Sequence, residues 1–91
     1  MTLNDHLRIP DGVATRQLEG ETVLLNLETG TYFSLDAVGS RFLELLGRNG
    51  EIAVAYRALL EEFDVAPEVL QADLLRLSEE MRAKGLLEAG S

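Results

Sequence analysis

The sequence predicts an α+β fold, with three antiparallel strands first and three helices after them, packed on one face of the sheet. Three observations carry that prediction. Apolar and polar residues alternate between Val13 and Leu35, apolar residues recur at three- and four-residue spacing after Asp36, and turn-forming breaks separate the segments.

The first strand is expected over Val13–Leu18, after a turn at Pro10-Asp11-Gly12. Leu7-Arg8-Ile9 is expected to lie against the sheet edge, and residues 1–6 to form a loose tail. Glu19-Gly20 turns the chain into the hairpin ETVLLNLETGTYFSL, Glu21 to Leu35. A type I turn at Glu28-Thr29-Gly30 pairs Leu27 with Thr31, Leu25 with Phe33 and Val23 with Leu35. That register puts Val23, Leu25, Leu27, Phe33 and Leu35 on the core face, and Leu24, Asn26, Tyr32 and Ser34 outside. A meander in this order leaves Thr31–Leu35 at a sheet edge.

Asp36 is an N-cap for the first helix, where Val38, Phe42, Leu45 and Leu46 form the stripe and Gly47 is the expected end. Gly39 inside it costs about 1 kcal/mol relative to alanine, so a close approach to a strand or helix is expected there. Ile52, Ala55, Tyr56, Leu59, Leu60 and Phe63 define the second helix. Asp64-Val65-Ala66 breaks it, and Pro67 opens a third helix running to about Lys84 on Leu70, Leu74, Leu77 and Met81. Gly85 suits a left-handed ending with Leu86 packed back on Met81, and Leu86-Leu87 either adds a short strand or plugs the core. Val69 and Leu75 lie off the stripe, as second buried contacts or as the lining of a cleft.

The 91 residues suit one domain spanning the chain, and 46% of them are apolar, so the chain folds. No stretch nears the roughly 18 apolar residues of a membrane span, and MTLNDHLRIP lacks the basic start and apolar run of a signal peptide. A cytoplasmic location is the default expectation. The net charge of −8 repels phosphate backbones and anionic lipid, which argues against nucleic acid and membrane partners and for a basic peptide or protein surface.

Catalytic chemistry finds no footing. There is no cysteine, and the one histidine, His6, is far in sequence from every serine, so no nucleophile–base pair forms. Glu61-Glu62 and Glu79-Glu80 are helical neighbours that diverge, which reads as solvated surface instead of a metal site. No phosphate loop is present. A non-enzyme without cofactor or metal is expected. A DNA-reading third helix needs basic residues, but Arg76, Arg82 and Lys84 face Glu68, Asp73, Glu79 and Glu80.

What remains is strand addition. Thr31-Tyr32-Phe33-Ser34-Leu35 carries no lysine or proline to blunt its edge, so an extended peptide has main-chain groups to pair with. The alternative is that the first helix, the tail or a second copy of the chain covers it.

TVLLNLETGTYFSLDAVGSRFLELL, followed by ALLEEFDVAPEVLQADLLRLSEEMRAKGLL, resembles the PqqD-like family, the recognition elements for ribosomally made and modified peptides (RiPPs), over roughly Val13 to Leu87. Within that family GTYFSLDAVG is most similar to the free-standing leader-binding proteins of lasso-peptide pathways. The resemblance implies a winged helix-turn-helix-like domain that binds a precursor's leader and delivers it to a maturation enzyme, here a leader protease. It also implies that the leader adds beside Thr31, Tyr32, Phe33, Ser34 and Leu35, in a groove against the helix carrying Leu70, Asp73, Leu74 and Leu77. In that arrangement Asp73 is expected to attract a basic leader residue. Alternatives are a pyrroloquinoline quinone-type peptide chaperone for a radical-SAM enzyme, and a winged-helix DNA-binding or dimerisation module.

Overall fold

Strands and helices follow one another in the order the periodicities require, as the computed structural model of residues 1–90 shows. The strands are β1 (Leu7–Arg8), β2 (Val13–Leu18), β3 (Glu21–Asn26) and β4 (Tyr32–Leu35); α1 (Ala37–Asn49), α2 (Ile52–Glu62) and α3 (Pro67–Ala83) follow, then β5 (Glu88–Ala89). The main sheet is antiparallel in the order β2-β3-β4, so β4 is an edge. Phe42 of α1, Ile52 and Leu59 of α2, Leu74 and Met81 of α3, and Leu24 of β3 meet in the core. Each such side chain contributes about 1.5–3 kcal/mol by leaving water.

The hairpin register differs from the expected one by a single step. Leu24 pairs with Phe33, Leu25 with Tyr32 and Thr22 with Leu35. Because side chains alternate along a strand, that step reverses the faces of β3, while Phe33 and Leu35 keep the core side of β4. Leu24 is fully buried, whereas Leu25 and Leu27 are exposed by 37% and 64%. The cause is a four-residue loop, closed where the Asn26 amide donates to the Thr31 carbonyl at 2.8 Å and Gly30 N–H donates to Asn26 O at 2.8 Å. The Asn26 side chain, expected outside, is buried.

Two more boundaries move. Gly47 does not stop α1; the helix runs on to Asn49 and ends at Gly50, whose φ of 86° is the left-handed value that glycine tolerates. Leu7–Arg8 does not join the main sheet. It pairs with Glu88–Ala89 in a second, two-stranded sheet, strapped by an Arg8–Glu88 ion pair, while Leu86 and Leu87 fill the core.

Residues 1–6, expected as a loose tail, are held. Glu51 at the start of α2 makes no capping bond with its side chain. Instead Ala53 N–H donates to Leu3 O at 2.8 Å and Ile52 N–H to Asp5 O at 3.2 Å. The tail thereby satisfies first-turn amides that the helix leaves without partners, and Met1 and Leu3 pack against the core.

The remaining helix ends match the sequence reading. Gly39 N–H donates to Asp36 Oδ1 at 2.9 Å. A Cβ on Gly39 would stand 3.2 Å from Leu35 Cβ and Cδ2, so the glycine admits the end of β4. At the end of α3, Leu86 N–H donates to Met81 O at 2.8 Å and Gly85 N–H to Arg82 O at 3.0 Å, the two bonds of a Schellman ending.

Candidate functional site: the free edge of β4 and the groove against α3

The ladder itself shows which atoms the edge offers. In antiparallel pairing, residues alternate between bonding inward to the neighbour and directing both main-chain groups outward. Asn26–Thr31 is a bonded pair, so with the observed register Phe33 and Leu35 bond inward to β3. Tyr32 and Ser34 therefore direct their N–H and C=O groups to the open side. No strand pairs with that side among the described residues.

Beyond the edge lies a groove of about 430 Å³, walled by β4, the start of α1 and one face of α3. Phe33 and Leu35 enter it because their side chains share the core face of β4. On α3 the 3.6-residue repeat brings Leu70, Asp73, Leu74 and Leu77 to the same side, and all four line the groove. Leu70 and Leu74 are nearly buried and form its floor. Lys84 Nζ stands 5.8 Å from the centre of the Phe33 ring, a cation–π contact worth about 0.5–1 kcal/mol at an exposed site.

Of the nine residues singled out from the sequence, Phe33, Ser34, Leu35, Leu70, Asp73, Leu74 and Leu77 converge on this groove. Thr31 does not. It lies before β4, its carbonyl is taken by Asn26, and its amide donates to Thr29 Oγ1 at 3.2 Å. The Tyr32 side chain lies on the opposite sheet face, 70% exposed, so only its main chain belongs to the edge.

The groove also takes in residues that the periodicity passed over, chiefly Val65, Val69, Asp36, Arg76 and Glu80, together with Val38 from the stripe of α1. Val69 had a signal: it is apolar, off the buried stripe, and 56% exposed in the structure. Leu75, the other off-stripe residue, is partly buried against the core instead.

The charges on the wall are partly spoken for. Asp73 Oδ1 accepts from Arg76 Nη2 at 3.1 Å, and Asp36 Oδ1 caps α1. Away from the groove, Arg41 forks onto Glu62 at 2.8 and 2.9 Å. The hydrogen bond from Arg41 holds the Glu62 carboxyl below its usual range. Among the described residues no three His, Cys, Asp or Glu side chains stand close enough to hold a metal ion, and no described helix is long and apolar enough to cross a membrane. A free strand edge over an apolar floor can hold an extended chain by main-chain bonds and sort it by alternate side chains.

Comparison with known proteins gives the same direction. Residues 21–87 match the family described as Coenzyme PQQ synthesis protein D (PqqD). Among solved structures, "TbiB1 in Complex with the TbiA(beta) Leader Peptide" is 37% identical, with a TM-score of 0.83 over 92% of this chain and 98% of that one. "Lasso peptide synthetase B1 complexed with the leader peptide" is 19% identical, with a TM-score of 0.81 over 91% and 98%. A search of curated proteins gave no match.

Proposed function

The chain belongs to the PqqD family, and from that premise we propose that it binds the leader of a ribosomally made precursor peptide by strand addition along β4 and presents it to a maturation enzyme. The observation that carries the reading is the pair of outward main-chain groups at Tyr32 and Ser34, set over the groove against α3. The 37% identical TbiB1 structure, itself a leader-peptide complex, supports the same role here. Leader side chains facing the groove rest on Phe33, Leu35, Leu70 and Leu77, while the leader backbone pairs with β4. The protein supplies recognition and no catalytic group, so the chemistry falls to its partner. A leader protease of a lasso-peptide pathway is the partner of choice, and binding a newly made precursor puts this work in the cytoplasm. The family description supports a second reading, a peptide chaperone in pyrroloquinoline quinone synthesis.

The test is fluorescence anisotropy of the labelled TbiA(beta) leader peptide against wild type and Phe33→Ala, Leu77→Ala and Asp73→Lys. Weaker binding by Leu77→Ala and Asp73→Lys is expected. Wild-type binding by all three removes the groove from the mechanism. Addition of the purified protease then reads delivery: faster leader cleavage with the protein than without it.

A further inference from the structure

The two ends of the groove differ in charge. From Ala58 to Leu75 the chain has no lysine, arginine or histidine, yet it carries Glu61, Glu62, Asp64, Glu68 and Asp73. Glu62 is occupied by Arg41 and Asp73 by Arg76. Asp64 and Glu68 are exposed beside Val65 and Val69, which line the groove where Asp36 also borders it. The other end, toward the hairpin loop, has Lys84 over Phe33, with Arg76 and Glu80 between.

β4 runs from the second end to the first. An antiparallel peptide paired with Tyr32 and Ser34 therefore enters beside Asp36 and leaves beside Tyr32. Its residues opposite Leu35 and Phe33, two apart, share the face of those side chains and point into the groove. The residues just before them lie at the acidic end.

We infer that the groove selects an extended peptide with a lysine or arginine shortly before two alternate apolar residues, in the order basic, then apolar-x-apolar. This inference rests on the strand-addition reading and adds to it a charge order and a direction. A parallel peptide would need the reverse order, so the order reports the direction of docking.

The experiment is selection of short random displayed peptides on the whole chain, followed by anisotropy of the most enriched peptide. Enrichment of the stated order is expected. Exchanging the basic residue for glutamate should weaken binding roughly tenfold at low salt, and the difference should shrink in about 0.5 M salt. Asp64→Asn with Glu68→Gln should narrow the same difference while leaving a charge-neutral apolar-x-apolar peptide unchanged. Enrichment of apolar pairs with no charge bias, with an acidic bias or with the basic residue after them overturns the inference and leaves strand addition standing. Failure to enrich any peptide that shifts the amide resonances of Tyr32 and Ser34 overturns both.

Discussion

Asn26 and Gly85, 59 residues apart, are joined by a hydrogen bond from Asn26 Nδ2 to the Gly85 carbonyl at 3.1 Å. The other end of the same carboxamide accepts from the amides of Glu28 and Thr29 at 2.9 and 3.2 Å. One side chain thus shapes the hairpin loop and fastens it to the end of α3.

Asn26→Ala removes three hydrogen bonds from a buried site, which should cost about 2–3 kcal/mol in urea unfolding. Asn26→Asp keeps the acceptor for the loop but sets a carboxylate against the Gly85 carbonyl. It should also destabilise, and more so above the carboxyl pKa than below it.

Gly85→Ala meets two obstacles. The φ of 72° disfavours any side chain, and the new Cβ would lie 2.7 Å from Asn26 Nδ2. A loss of about 1–2 kcal/mol is expected from the backbone alone. In the double variant with Asn26→Ala the contact part should vanish, so the two losses should sum to more than the double variant shows.

Val69 and Leu70 are neighbours with opposite duties. Leu70 is 3% exposed, so Leu70→Ala should cost about 2–5 kcal/mol of stability. Val69→Ser should change stability by no more than about 0.5 kcal/mol, while weakening leader binding severalfold. Thermal melts and anisotropy on the two variants check the contrast.

Ser34→Pro removes an N–H that points away from β3. The β3–β4 ladder should survive it, as proline is tolerated at such edge positions, whereas Phe33→Pro deletes an inward bond and should unfold the hairpin. Circular dichroism of Ser34→Pro should stay native while strand addition of the leader is lost.

Glu62 titrates below the usual carboxylate range because Arg41 hydrogen-bonds it. A depressed folded value means the stabilisation is complete at neutral pH and disappears as pH falls through and below the ordinary carboxyl value. Glu62→Gln should therefore be less stable than wild type at neutral pH and converge with it in acid below about pH 4. Urea midpoints across pH read this directly.

Local signals made much of the molecule legible. The stripe Leu70, Leu74, Met81 needs only helical spacing; Asp36 and Gly85 mark helix ends by their own chemistry; and the bare edge of Tyr32–Leu35 follows from strand order. The candidate site was readable to that extent, because an edge and a helix face are each properties of one element. Val65 and Asp36 joined it only through the way the elements pack.

By itself, then, the sequence determined the order of the three meander strands and three helices and the exposed edge strand at Tyr32–Leu35, since these rest on interactions within a few residues. The tertiary structure alone decided the hairpin register. Val23-Leu24-Leu25 is apolar on both faces, so alternation accepts either side. The choice falls to Asn26, whose partner Gly85 lies at the other end of the chain. It likewise paired β1 with β5 and used the tail's carbonyls to begin α2, because a backbone group left without a local partner bonds to whichever segment the fold brings near.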